Sequence, residues 1–387
     1  MIAHARSAIE TEVDPAASDH GSPPHRAASA ALMPLDEAVQ QLTANLVPIP
    51  PEAVPLGESL GGISAADLEA PRAYPAQPTA LRDGWAVRAE AIVGASPYAP
   101  IPAPHPLIWV EAGAGMPEGL DTILSPEAIE GDVVVADAPA GAGVRRAGEE
   151  IASGARLLSV GDRITALNRL ALQAAGFASV ALRRPRLSLI VVRAAEADSL
   201  SPLLATLAAR AGASIDAVIA ADTPEAIADA LRQQTGDAIL VLGGTGFGRQ
   251  DHSAAGLSRA GKVQAHGIAL KPGETAGFGT VGDRPVLLLP GRPDAALAAF
   301  LALARPLIEA LSGASPDTPA VLPTLRKIAS TIGLSEVVYA RRRPDGFLPL
   351  GSSDLPLHSL IQADAAILVG PESEGVPAGQ SLTGLAL

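Results

Sequence analysis

The stretch Ala238–Ser253 reads AILVLGGTGFGRQDHS. An apolar run opens into Gly243, Gly244, Thr245, Gly246 and Gly248, and the loop reaches a carboxylate at Asp251. Glycine lets backbone N–H groups approach an anion closely, and a carboxylate offers oxygen to a hard cation. The same arrangement recurs along the chain. Asp222 follows the apolar run IDAVIA, Lys271-Pro272-Gly273 follows VQAHGIAL, and Pro290-Gly291-Arg292-Pro293 follows PVLLL. Lys271 and Arg292 supply positive charge, while Asp222 and Asp251 suit Mg²⁺, which takes oxygen ligands and bridges to phosphates. Together these residues describe a site for a phosphorylated or oxyanionic ligand.

Each feature also has a purely structural reading. A glycine loop after a strand can be only a turn, Asp222 can cap the helix that follows it, and Lys271 and Arg292 can be surface charges. The loop is neither a dinucleotide fingerprint nor a phosphate-binding P-loop, because the glycine spacing is wrong for the first and no Lys-Ser/Thr pair follows for the second. His252 adjoins Asp251 and is an acid–base candidate, although neighbours in a loop tend to point apart.

The elements that would position these residues follow from the apolar pattern. From Pro185 onward, the runs LSLIVV, IDAVIA (215–220), AILVL (238–242) and PVLLL (285–289) alternate with helical segments at 202–211, 224–234 and 293–311, and a short helix is expected after Ser253. Continuous apolar strands alternating with helices predict a parallel sheet covered on both faces. Ligands in such sheets bind beyond the carboxyl ends of the strands, where the glycines, Lys271 and Arg292 fall. Upstream, Leu35, Ala38, Val39, Leu42 and Leu46 have helical spacing, residues 50–140 read as short strands and loops, and 168–178 predicts a helix ending on Gly176. From about Leu322 the chain returns to short strands.

The totals narrow the function further. A chain of 387 residues implies several domains. With 28 basic and 41 acidic side chains the net charge is −13, which disfavours a nucleic-acid partner. The absence of cysteine removes disulfides, thiolate nucleophiles and Cys-bound zinc. It fits a cytoplasmic location, as does an N-terminal segment that reads as a polar tail rather than a secretory signal. The longest apolar stretch, Ala295–Ala304, stops at Arg305-Pro306, too short for a membrane span.

Six ordered segments resemble the molybdopterin molybdotransferases of the MoeA/gephyrin type. LGGTGFGRQDHS, ALKPGETAGFG and LLLPGRPDAALAAF are similar to the family's GGxSxGxxD, KPGKPxxFG and LPGNPxxAxxxF. LRDGWAVRAEAI, AGAGMPEGLDTILSPE and VRRAGEEIASGARLL are similar to MDGYAVR, TGAxxPxGADxVVxxE and IRxxGEDIxxGxxLL. The likeness runs from about residue 33 to the end.

The resemblance implies an α/β plus β fold in an elongated, multi-domain chain. Its parts would be a disordered tail (1–32), a split domain (33–60 and 140–182) and an inserted β domain (61–139). A doubly wound molybdopterin-binding domain (183–314) and a C-terminal β-barrel (322–387) would follow. It implies insertion of molybdenum from molybdate into adenylylated molybdopterin, with Mg²⁺-dependent release of AMP, by a homodimer with no nucleic-acid or membrane partner and possible delivery to a molybdoenzyme client. Asp83, Asp222 and Asp251 match family carboxylates, with Asp222 and Asp251 as metal ligands, and Lys271 matches the first Lys of KPGK.

The departures fall at the chemistry. The acid of the family's TGDEL is Ala195 here, so Glu196 or Asp198 would have to substitute, and Glu196 is the candidate catalytic acid. The second Lys of KPGK is Glu274, the Asn of LPGN is Arg292, the Ser of GGxSxG is Gly246, the Thr of TGA is Ala112, and the Asp of GEDI is Glu150. Two readings stand: a working transferase in which Arg292 replaces the lost Lys, and a catalytically decayed carrier or scaffold that binds molybdopterin or the molybdenum cofactor.

Overall fold

The apolar face of Leu35, Ala38 and Leu42 forms helix α1 (Leu35–Thr43) in the computed structural model, which describes residues 32–192 and 200–387. The tail reading for 1–31 and the candidates at Ala195, Glu196 and Asp198 fall outside the described residues. After α1 come strands β1 (Glu52–Pro55) and β2 (Ile63–Ser64), then an antiparallel trio, β3 (Gly84–Val87) between β4 (Ile108–Val110) and β5 (Thr122–Leu124). Helix α2 (Ala166–Ala175) begins on a capping box made by Thr165 and Asn168 and ends on Gly176 at φ 94°, as the sequence requires. Strand β6 (Ser179–Arg183) then pairs antiparallel with both β1 and β2, so segments far apart in sequence share one sheet.

The alternation of strand and helix follows. It comprises β7 (Arg186–Val192), α3 (Leu200–Ala211), β8 (Ser214–Ala220), α4 (Pro224–Gln233), β9 (Ala238–Leu242) and α5 (Ser253–Ala260). Strands β10 (Lys262–His266), β11 (Leu270–Lys271), β12 (Gly277–Val281) and β13 (Arg284–Leu289) come next. The six-stranded sheet has the order β8-β7-β9-β13-β12-β10. Its first four strands are parallel, and β12 and β10 are antiparallel.

The expected all-parallel sheet is therefore a mixed one. Two residues, Gly282 and Asp283, join β12 to β13, and so short a connection permits only an antiparallel hairpin. Gly277 and Gly279 hide β12 from the apolar pattern. A Cβ on Gly279 would stand 2.0 Å from the Lys262 carbonyl oxygen, so the neighbouring backbone leaves room for no side chain. VQAHGIAL, read as one strand, divides instead: Lys262–His266 stays in this sheet and Leu270–Lys271 leaves it.

The central strands explain the continuous apolar runs. Leu187, Leu189, Leu240, Leu287 and Leu289 enter one core, while Ile190, Ile239, Val241, Val286 and Leu288 enter the other. Alternate residues thus bury opposite faces. At the edge, β8 is largely exposed, with Asp216 in its middle, a charge that discourages strand addition.

Beyond β13 a helix runs over Pro293–Ser312, matching the helical segment expected over 293–311 and continuing through the Arg305-Pro306 pair. It consists of α6 (Pro293–Ala299), a π-helical turn (Phe300–Ala304) and α7 (Arg305–Ser312). Pro306 has no N–H and would clash with the carbonyl four residues earlier, and the wider turn before it relieves both problems. By length and composition this helix could cross a membrane. Its buried residues, among them Ala296, Phe300, Leu303 and Leu307, belong to the largest core, which α1 also joins.

The C-terminal strands are β14 (Ala320–Pro323), β15 (Ser335–Arg343), β16 (Gly346–Gly351), β17 (Ala365–Val369) and β18 (Ser381–Ala386). They form the order β11-β15-β17-β18-β14, with β16 also on β15. The sheet meets itself where Thr324, just after β14, bridges Phe347 of β16, and the Leu325 amide donates to the Phe347 carbonyl at 2.8 Å.

Gly279→Ala is expected to lose about 1–3 kcal/mol of stability, because its Cβ meets backbone that cannot give way. Gly57→Ala, where a Cβ meets nothing within 4 Å, should stay within about 0.5 kcal/mol of the parent. Urea unfolding of both variants checks the contrast.

Candidate functional site

Because β7, β9 and β13 bury both faces, their polar neighbours collect at the carboxyl ends. There a cleft of about 490 Å³ opens. It is lined by Val192, residues 243–246, Asp251, Gly273–Thr275, residues 290–292 and Ala295. It brings together Gly243, Gly244, Thr245, Gly246, Asp251, Gly273, Gly291 and Arg292, which the sequence had marked, and adds Glu274 and Thr275.

The loop after β9 is fixed by close backbone contact. Gly243 and Gly244 have φ of 89° and 60°, conformations that suit glycine. The Gly243 amide donates to the Leu289 carbonyl at 2.9 Å, and Gly291 lies against Gly243, so the two glycine turns touch. The buried Ser253 hydroxyl donates to the Gly243 carbonyl at 2.7 Å, and the Ser253 amide donates to the Gly244 carbonyl at 2.9 Å. Thr245 is buried, its hydroxyl 3.2 Å from that of Thr275 and its carbonyl 2.8 Å from His266 Nε2. Among the described residues, the amides of Gly244, Thr245, Gly246 and Gly291 donate to no acceptor. A run of such amides at strand ends forms a concavity suited to an anion.

Asp251 shapes this loop. Its Oδ2 accepts the Gly248 amide at 3.0 Å and lies 2.5 Å from where a Gly246 Cβ would stand. The absence of a side chain at Gly246 therefore leaves room for the carboxylate. Gly248 belongs to the loop through this bond and does not line the cleft.

Asp222 stands after β8, outside the cleft lining. It is not the helix cap: the Thr223 side chain accepts the Ala226 amide and caps α4. Asp222 Oδ1 instead lies 3.2 Å from His252 Nδ1 and close under Gly244. His252 thus partners Asp222 rather than its neighbour Asp251. No sequence signal linked them, because the two meet only when the loops after β8 and β9 are brought side by side.

The cations are placed differently from the sequence expectation. Lys271 and Pro272 are not cleft-lining residues. The pairing of β11 with β15 sets Lys271 opposite Glu336, with Nζ 3.5 Å from Oε1. Glu336 is buried and also receives the Ser352 hydroxyl. Arg292 lines the cleft, but its guanidinium grips Asp294 at 3.1 and 3.0 Å and also pairs with Asp354. Burial opposes its charge, and the two carboxylates outweigh that, raising its pKa above the ordinary arginine value. Glu274 occupies the cleft where a second Lys was expected from the resemblance, and its carboxylate accepts the Gly273 amide at 3.1 Å. Asp83 lies on the β3 sheet region, where Oδ1 accepts the Ala112 amide at 2.8 Å and holds two turns together.

Among the described residues, no three acidic or imidazole side chains converge as a metal-binding group. Asp222 and Asp251 each already have protein partners. These residues alone do not make a Mg²⁺ cage.

Comparisons with known proteins cover this framework. Residues 33–176 match the family described as MoeA N-terminal region (domain I and II), and residues 156–310 match the one described as "Probable molybdopterin binding domain". A Mycobacterium tuberculosis protein named molybdopterin molybdenumtransferase 2 is 28% identical over 306 residues, 68% of this chain and 76% of the relative. The Synechococcus elongatus molybdopterin molybdenumtransferase is 27% identical over 377 residues, 84% of this chain and 92% of the relative. The solved molybdopterin biosynthesis MoeA protein from Pyrococcus horikoshii has a TM-score of 0.72 at 21% identity, covering 92% of this chain and 100% of that one. At that identity the likeness is one of fold, a multi-domain chain with mixed sheets.

Lys271→Met should cost about 1–3 kcal/mol, since it leaves the buried Glu336 carboxylate without its cation. Adding Glu336→Gln should recover part of that loss. Chemical unfolding of the single and double variants measures the coupling, and additive losses would show that the pair has no energetic link.

Proposed function

Because the chain belongs to the MoeA family, we propose that it is a molybdopterin molybdenumtransferase of molybdenum cofactor biosynthesis. It inserts molybdenum from molybdate into adenylylated molybdopterin and releases AMP. The observation that carries this reading is the cleft at the strand ends, where three loops matching the family's motifs meet around unpaired amides. Those amides would receive a phosphate, with the Thr245 and Thr275 hydroxyls as further hydrogen-bonding groups. Asp251 holds the loop in its receiving conformation. Asp222 orients His252 beside the loop, a pair able to hold or move a proton.

Mg²⁺ would serve here to offset substrate phosphate charge. Asp222 and Asp251 are its proposed contacts, and substrate phosphates would have to supply the remaining oxygens, as is usual for this ion. Asp83 enters the site in this reading through a homodimer, with the inserted sheet of one protomer facing the cleft of the other. Glu196 is the proposed acid. The domain boundaries are proposed as the resemblance implies them, the C-terminal sheet being taken as a barrel on the strength of its Thr324–Phe347 closure. Helix α1 is better grouped with the α/β core, where it is buried. We also propose a cytoplasmic location and delivery to a molybdoenzyme client.

One observation favours a second reading, a carrier that binds the pterin without turnover. Lys271 and Arg292 are both engaged by carboxylates, and Asp251 and Glu274 add negative charge to the cleft.

With adenylylated molybdopterin, molybdate and Mg²⁺, the protein is expected to release AMP, and Asp251→Ala should slow release by roughly 10–1,000-fold. Chromatographic quantification of AMP decides the matter. Folded protein that retains pterin yet releases no AMP would establish the carrier, and release unaffected by Asp251→Ala would remove Asp251 from the site.

A further inference from the structure

A second cleft, of about 550 Å³, opens where Gly61 and Arg163, helix α3 with the π-helical turn, and the C-terminal sheet meet. It shares no lining residue with the glycine-loop cleft. Four guanidinium side chains line it: Arg163, Arg210, Arg305 and Arg342. Among the described lining residues Asp317 is the acid, and it pairs with Arg305 at 2.7 Å, as Glu309 does at 2.8 Å.

The other three arginines have no carboxylate within ion-pair distance among the described residues. Arg163 donates to the Gly61 and Ala211 carbonyls at 3.3 and 3.2 Å. Burial lowers its pKa below the ordinary arginine value, Asp317 counters this, and Arg305 adds to the lowering. Arg210, in the last turn of α3, and Arg342, on β15, are exposed. Asp364 approaches Arg342 only at its backbone amide, at 2.6 Å.

In a chain of net charge −13, three arginines without an ion-pair partner among the described residues around one concavity make a local field that attracts an anion. The size is that of a small-molecule site. A cavity of this volume is too small for a polyanion. The wall formed by Leu207, Phe300 and Leu301 is apolar.

We propose that this cleft binds a phosphorylated small molecule, with the phosphate held by Arg163, Arg210 and Arg342 and an apolar group set against Phe300 and Leu301. Fork-shaped guanidinium groups match phosphate oxygens, and three of them supply more than one bidentate contact. This inference is independent of the transferase reading.

Isothermal titration of the full chain at low salt tests it, with inorganic phosphate and phenyl phosphate as probes. Phenyl phosphate should bind more tightly than phosphate, since only the ester reaches the apolar wall, and binding should weaken as salt rises. Arg210→Gln and Arg342→Gln are each expected to weaken it about tenfold. Both side chains are exposed, so folding should be retained, and a melting curve checks this. Thr275→Glu, which adds a negative charge to the glycine-loop cleft, should leave binding unchanged. Absence of binding at millimolar probe, binding in both arginine variants as tight as in the parent, or loss of binding in Thr275→Glu alone would each overturn the proposal.

Discussion

A strand that is buried on both faces has no side on which a polar side chain can reach water. Strands β7, β9 and β13 obey that constraint, feeding alternate residues into two separate cores. Groups that bind or react must then sit where these strands end. Glycine at those ends lets the chain turn at once without a Cβ collision, and the turns of Gly243 and Gly291 touch as a result. The site is thus a consequence of how the sheet is buried.

The cleft is held from outside the sheet as well as within it. Ser253 and the Leu289 carbonyl fix the first glycine turn. Thr275 braces Thr245, and Thr275 belongs to the segment that follows β11. That short strand pairs with β15, and the buried Tyr339 hydroxyl of β15 donates to the Asp294 carbonyl at the start of α6. The C-terminal sheet therefore supports two of the three cleft loops. Lys271 with Glu336, and Arg292 with Asp294 and Asp354, reinforce the same junction.

This support uses the cations that anion binding would want. Neutralised arginine and lysine leave backbone amides as the principal donors to a phosphate in the cleft. Amides fixed by the fold need no reorganisation on binding, an advantage that free lysine chains lack. Meanwhile Arg163, Arg210 and Arg342, which have no ion-pair partner among the described residues, line the cleft between α3 and the C-terminal sheet.

The sequence by itself determined the central strands, the helices between them, the turn at Gly176 and the loops that form the cleft, because apolar periodicity and glycine conformation are local properties. It also carried the family likeness, since those loops are continuous motifs. Strand β12 escaped, because two glycines that admit a neighbouring backbone remove the apolar signal that marks a strand. The helix through Pro306 was legible, but the π-helical turn inside it, which relieves the proline, was not, because nothing in the local pattern announces it. Only the tertiary structure decided the partners of the charged groups. Lys271 faces Glu336, Arg292 faces Asp294 and Asp354, and His252 faces Asp222 because strand register and loop packing bring them together. Charge interactions act through space across a few ångströms, whereas sequence motifs record order along the chain, so residue type fixed what these groups could do and packing fixed with whom.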